Sequence, residues 1–213
     1  MKKKTAIILG ATGLTGSYLL KLLLNSNDYE KVKIFTRNST GKQHSKLEEI
    51  VCDVLHLEQC ANDFIADEIF CCIGTTKAKT PDKKLYKAID FGIPVTAAKL
   101  SEKNKINTFS VISAIGANAK SSVFYSRTKG EMEQSVLEYN IPNVLIYRPS
   151  LIYGKRKDHR LAEKIGTYIV TALQTFMVGR FKKYRAISGQ ELAEALFLGV
   201  KNTGHRIILR DTF

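Results

Sequence analysis

Ala6-Ile7-Ile8-Leu9-Gly10-Ala11-Thr12-Gly13-Leu14-Thr15-Gly16-Ser17-Tyr18-Leu19-Leu20 is the stretch on which the reading of this chain turns. Four apolar residues run into three glycines spaced three apart, and an apolar helical pattern follows. A continuous apolar run suits a parallel strand buried on both faces. Glycines at that spacing permit a tight turn, close approach of the backbone to a pyrophosphate, and close packing of helix on strand. The helix then aims its free N–H groups at the phosphates. The pattern predicts a dinucleotide site built by Gly10, Thr12, Gly13, Leu14, Thr15 and Gly16, against the plainer alternative of a strand-helix turn that holds nothing.

Working outward, the first helix is expected to end near Asn25-Ser26-Asn27-Asp28, and Lys31-Val32-Lys33-Ile34-Phe35-Thr36-Arg37-Asn38 reads as a second strand. An acidic residue at the end of that strand would bond a ribose 2′-hydroxyl, whereas an arginine accommodates a 2′-phosphate. Arg37 stands there, which favours NADP(H) over NAD(H); the alternative is a solvated loop cation. Glu49-Ile50-Val51-Cys52-Asp53-Val54 reads as a third strand whose Asp53 either meets the adenine or caps a helix. Glu68-Ile69-Phe70-Cys71-Cys72-Ile73-Gly74-Thr75-Thr76 is a fourth, strongly apolar strand. Ile73, Gly74 and Thr75 at its carboxyl end offer bare backbone to a cofactor, in the place where open α/β sheets bind ligands.

Apolar residues recur at helical spacing over 83–104, with Pro94 either kinking that helix or starting another. Thr108-Phe109-Ser110-Val111-Ile112-Ser113-Ala114 is a fifth strand that delivers Ser113 to the same sheet edge, and Tyr125-Ser126-Arg127-Thr128-Lys129 opens the next helix. Residues four apart on a helix share a face, so Tyr125 and Lys129 project together. An ammonium close to a phenol favours the phenolate, and lowering a tyrosine by about three units takes roughly 4 kcal/mol, within reach of Lys129 and a nicotinamide ring acting together. Tyr125 is then the general acid or base, Ser113 the hydrogen-bond donor to the substrate oxygen, and Lys129 also a ligand of the nicotinamide ribose. The alternative is a packed tyrosine beside a solvated lysine.

Taken in order, the Gly10 to Gly16 turn, Cys72-Ile73-Gly74-Thr75-Thr76, Ser113-Ala114-Ile115-Gly116-Ala117, Tyr125 with Lys129-Gly130-Glu131-Met132-Glu133, and Tyr147-Arg148-Pro149-Ser150 resemble an atypical short-chain dehydrogenase/reductase. The branch they most resemble is that of the Tat-interacting-protein-like and NmrA-like NAD(P)-binding proteins. The resemblance spans most of the chain. It implies a Rossmann fold, NADP(H) at the glycine turn and Tyr125 in the proton-acceptor position. It also implies that Arg148-Pro149, after a sixth strand, lies beside the nicotinamide, where Arg148 contacts a cofactor phosphate or a substrate acid unless a salt bridge occupies it. Two positions depart from the family pattern: Ala114 stands where a second serine or threonine is common, and Asp90 where an active-site asparagine is.

The remainder bounds the reading. The 213 residues suit one domain, doubly wound α/β with a parallel sheet, in which roughly 150–205 forms a small C-terminal substrate lobe. With 33 Lys and Arg against 20 Asp and Glu, the net charge of +13 suits anionic partners. No helix-turn-helix, zinc-ligand or aromatic-basic spacing points to nucleic acid. The cations in 154–160 and 180–185 hint at an anionic ligand, and the apolar 165–178 fits a lid or a self-association helix, hence a possible homo-oligomer. The charge-free 165–179 is shorter than the ~20 residues of a membrane span. No residue set reads as a metal site, and Ser188 with Glu191 forms a capping box for a closing helix. Four cysteines without C-x-x-C spacing imply free thiols in a reducing compartment, from which a cytoplasmic location is expected. The function expected is carbonyl reduction, or alcohol oxidation, of a small molecule; the alternative is a redox sensor that binds the dinucleotide and signals to a protein partner without turnover.

Overall fold

The computed structural model describes residues 3–154, 185–201 and 204–209. Its chain order is β1 (Lys4–Leu9), α1 (Leu14–Asn25), β2 (Tyr29–Thr36), β3 (Leu47–Val51), a 3-10 segment (Val54–Cys60), β4 (Glu68–Cys71), α2 (Lys83–Lys87), a π-helical turn (Ala88–Gly92) and α3 (Ile93–Lys103). Then come β5 (Thr108–Ile112), α4 (Phe124–Leu137), β6 (Asn143–Arg148), β7 (Ile152–Tyr153), β8 (Ile187–Ser188), α5 (Gly189–Gly199) and β9 (Arg206–Leu209). Seven strands form one sheet in the order β3-β2-β1-β4-β5-β6-β9, every pair parallel. The doubly wound parallel sheet expected from the sequence is what the chain builds.

The reason lies in the strand composition. Ala6, Ile7, Ile8 and Leu9 are all fully buried, so β1 needs cover on both faces. One face packs Ile7, Leu9, Phe109, Val111 and Ile146 against Ala97 and Leu100 of α3 and Met132 and Val136 of α4. The other packs Ala6, Ile8, Ile34 and Leu145 against Leu19 and Leu23 of α1 and Leu192 and Leu196 of α5. At ~25 cal/mol per Å² of buried apolar surface, these two layers supply most of the drive to fold. The chain leaves β1 to one side and β4 to the other, so their carboxyl ends diverge into a crevice, the switch point where such sheets bind ligands.

Two short pieces close the crevice's flank. β7 and β8 pair in parallel as a separate two-stranded sheet, and the Ser188–Glu191 capping box is present, with Ser188 Oγ accepting from Glu191 N–H at 3.0 Å and Glu191 Oε2 accepting from Ser188 N–H at 2.8 Å. Expectations for the apolar 165–178 and for the cations in 155–160 and 180–184 fall outside the described residues. No helix among the described residues is long and apolar enough to cross a membrane, and all four cysteines are free.

Candidate active site

The glycine turn forms the floor of the crevice. Gly10 has φ +85°, a left-handed conformation that an L side chain resists, and a Cβ there would lie 3.0 Å from the Cys72 carbonyl. Gly16 is a matter of space: a Cβ would fall 2.2 Å from the Gly10 oxygen, so only glycine lets α1 seat this close to β1. Gly13 N–H donates to the Gly10 carbonyl at 3.0 Å and Ser17 N–H to the Gly13 carbonyl at 3.0 Å. Between them lie the N–H groups of Leu14, Thr15 and Gly16, in the first helical turn where the ladder offers no acceptor. No side chain caps α1, and no acidic residue sits in its first turn. The positive end of the helix is thus left for an external anion. The Leu14 side chain is committed elsewhere, packed against Gly154 and Gly189, where a Cβ would come within 2.9 and 2.6 Å of it.

Arg37 is exposed just past β2 and makes no hydrogen bond or ion pair among the described residues. Asp53 caps the 3-10 segment: one oxygen accepts from Leu55 N–H at 3.0 Å and the other meets His56 Nδ1 at 2.8 Å. The His56 contact holds its carboxyl below the usual carboxylate range. Of the two uses the sequence left open for Asp53, the structure displays the cap.

After β4 the chain quits the sheet earlier than the sequence suggests, at Cys71 rather than Thr76. Ile73 lies over the Gly10 turn, 3.2 Å from where a Gly10 Cβ would be, and Gly74 sits 3.6 Å by the same measure from Asp90 Oδ1. Thr75 is fixed from three sides. Its N–H donates to Asp90 Oδ2 at 2.7 Å, its hydroxyl meets Thr80 Oγ1 at 2.8 Å, and its carbonyl accepts from the Tyr86 hydroxyl at 3.4 Å.

Asp90 comes from the π-helical turn, a rare element that often marks functional sites. Pro94 has no N–H, so the ordinary ladder cannot run through it; the backbone widens, with Ile93 N–H reaching the Ala88 carbonyl, and Asp90 lies in the interior at 1% exposed. There it meets Lys129, 4% exposed, at 2.8 Å. The ammonium also donates to the Ile112 carbonyl at 3.3 Å. Removing either partner alone would strand a buried charge at a cost of about 3–5 kcal/mol.

Tyr125 and Lys129 share a face of α4 as their spacing predicts; the lowering expected of the Tyr125 hydroxyl calls on a nicotinamide ring as well as Lys129, and the protein's own groups act in the other direction. Burial of the phenol outweighs the Lys129 ammonium, and Asp90 opposes it further, so Tyr125 is raised above the ordinary tyrosine value. Its ring nonetheless reaches solvent, 43% exposed. Ser113, at the end of β5, is 3% exposed, and its hydroxyl has no protein partner among the described residues. Its N–H is anchored on the Tyr147 carbonyl at 2.7 Å. A buried hydroxyl without a protein partner, at the same carboxyl edge of the sheet as a glycine cradle with spare N–H groups, fits a bound nicotinamide dinucleotide.

Arg148 is held elsewhere. Its Nε donates to Glu133 Oε1 at 2.8 Å and its Nη2 to Glu133 Oε2, a fork that raises the guanidinium's already high value. The pair lines a polar cavity of about 260 Å³ with Asn118 and Gln134, a lining that contains none of the glycine turn, Gly74, Thr75 or Tyr125. Of the uses left open for Arg148, the structure displays the salt bridge. Glu133 and Tyr86 were not singled out from the sequence; Glu133 stands one helical turn after Lys129, which is the signal that could have found it.

Comparison with known proteins gives a consistent picture. Residues 6–187 match the NAD dependent epimerase/dehydratase family. Protein FMP52-1, mitochondrial, from Scheffersomyces stipitis is 34% identical over 161 residues, covering 73% of this chain and 70% of its own length. Protein HTATIP2 from Rattus norvegicus is 30% identical over 167 residues, covering 76% and 69%. Among solved structures, the Bordetella bronchiseptica enzyme WbmH in complex with NAD+ superposes with a TM-score of 0.72 at 16% identity, covering 97% of this chain and 75% of that one. These relatives correct the cytoplasmic expectation, since FMP52 proteins of several yeasts are named mitochondrial.

Proposed function

The chain belongs to the NAD dependent epimerase/dehydratase family, and from that premise we propose that it is an NADP(H)-dependent oxidoreductase that reduces a carbonyl. The N–H groups of Leu14, Thr15 and Gly16 hold the diphosphate, while the glycines leave it room. Arg37 takes the 2′-phosphate, a role its exposed and unpaired position supports. The bound dinucleotide supplies the hydride. Ser113 Oγ donates a hydrogen bond to the substrate oxygen as negative charge develops there, and Tyr125 donates the proton that completes the alcohol. Lys129 orients the site from within its ion pair.

The observation that carries this reading is the Ser113 hydroxyl, buried and unpartnered at the same sheet edge as Tyr125 and Lys129. One observation favours a second reading, a dinucleotide-dependent sensor without turnover: Asp90 engages the charge that Lys129 would bring to Tyr125. A panel of carbonyl substrates followed by NADPH absorbance separates the two. Turnover by the wild type, lost at least a hundredfold in Tyr125→Phe with NADPH binding retained, supports the reductase; that factor is the low end of general-acid contributions, ~10²–10⁴. Tight binding with no turnover on any carbonyl supports the sensor.

A further inference from the structure

We propose that the cavity walled by Asn118, Ala119, Gly130, Glu133, Gln134 and Arg148 is a second ligand site, separate from the dinucleotide crevice, and that it holds a small molecule by a carboxylate or phosphate group. Its volume of about 260 Å³ falls just below the range of about 300–1,000 Å³ for drug-sized ligands, which suits a molecule of few heavy atoms.

The donor set carries the proposal. Glu133, buried on α4, takes the Nε and Nη2 hydrogens on one edge of the Arg148 guanidinium and so fixes its plane. The remaining edge, Nη1 with the second Nη2 hydrogen, has no partner among the described residues, and the side chain is 25% exposed. Two parallel donors in a fixed plane match the oxygens of a carboxylate or a phosphate. The other walls add to them. Asn118 Oδ1 accepts the Lys120 N–H at 2.9 Å, which leaves its Nδ2 to donate. The Ala119 N–H and the Gln134 side-chain amide make no hydrogen bond among the described residues. Gly130 lets this loop approach α4, since a Cβ there would lie 2.1 Å from Ala119 N. Charge favours the same class of ligand. Residues 114–128 carry Lys120 and Arg127 and no acid, and Arg127 is held over the loop by the Ser121 and Ser122 carbonyls at 2.8 and 3.2 Å. Of the neighbouring acids, Glu133 is balanced by Arg148 and Glu131 by Lys87, so Lys120 and Arg127 set the sign of the local potential. An anion seated here ties the loop that joins Ser113 to Tyr125 onto α4 and β6.

The test is a titration of ¹⁵N-labelled protein with inorganic phosphate and with acetate, against sodium chloride at matched ionic strength. The Ala119 backbone amide and the Asn118 and Gln134 side-chain amides are expected to shift saturably, with a Kd of about 10 mM or tighter, within reach of so small a ligand. The shifts are expected with or without NADPH in the crevice. Gln134→Glu and Asn118→Asp, both at exposed positions, set a carboxylate against the anion, and each is expected to weaken binding at least about tenfold. Whichever probe binds more tightly identifies the acid group of the ligand. No saturable shift, shifts confined to Leu14, Thr15 and Gly16, shifts that chloride reproduces, or affinities unchanged in both variants overturn the proposal. Absence of NADPH binding would sink the oxidoreductase reading and leave this site standing.

Discussion

Ser113 is buried with a hydroxyl that finds no protein partner among the described residues, and such a group costs about 1–3 kcal/mol of folding stability. The hydroxyls of Thr36 and Ser110 are likewise buried without a protein partner, and what sets Ser113 apart is its place at the carboxyl end of β5. Ser113→Ala should therefore be as stable as the wild type, or more stable by about 1 kcal/mol, in urea unfolding. Turnover should fall by about 10²–10³, the scale of losing one donor to a developing oxyanion. A clear loss of stability would instead mean that Ser113 is structural. Tyr125 and Lys129 teach a related lesson: the four-residue spacing shows that they share a face, yet the partner that controls Lys129 comes from position 90, which spacing along one helix cannot reveal.

At the scale of elements, much of the fold was legible because the signals are local. β1, β5 and β6 announce themselves as apolar runs, the turn from β1 to α1 by its glycines, and α5 by its capping box. The 83–104 segment is legible as helical, with Pro94 marking either a kink or a second helix, and the structure shows the second helix. That it breaks into α2, a π-helical turn and α3 depends on Pro94 and on the inward position of Asp90, a tertiary matter. Asp53 and Arg148 were each open between a ligand and a structural partner, and His56 and Glu133, three and fifteen residues away, are what the structure supplies. The seating of α4 is a further example. A Cβ at Gly130 would lie 2.1 Å from Ala119 N and 2.3 Å from the Asn118 carbonyl carbon. In an open helix Gly→Ala gains roughly 0.5–1 kcal/mol; here the backbone cannot yield, and Gly130→Ala should cost about 3 kcal/mol, the upper part of the overpacking range. Urea midpoints of the two proteins decide it. A variant as stable as the wild type would mean that α4 is not pinned on the loop that precedes it.

At the scale of the whole molecule, buried acids of high intrinsic value set an alkaline limit. Burial pushes the Cys71 thiol up to about 11 and the Cys52 thiol up to about 12, and raises Cys72, Tyr86 and Tyr147 as well. Tyr29 is raised too, by burial first and then by Glu68, to which its hydroxyl donates at 2.5 Å. In each case the unfolded chain ionises before the folded one. The stabilisation is complete below the unfolded values, ~8.5 for thiols and ~10 for phenols, and is lost as pH climbs toward the folded ones. Urea midpoints should be level between about pH 7 and 8 and fall steadily from about pH 9 to 11. A midpoint that stays level through this range would contradict the burial of these groups.

The same scale holds the central claim, that the crevice between β1 and β4 receives a nicotinamide dinucleotide and that Arg37 selects the phosphorylated one. Titration calorimetry on the folded protein measures it. The account predicts saturable binding of NADPH at least tenfold tighter than NADH, a difference of ~1.4 kcal/mol, and abolition of that preference in Arg37→Ala. Equal losses for both dinucleotides in Arg37→Ala would remove its phosphate contact, and the absence of heat with either dinucleotide would contradict the account as a whole.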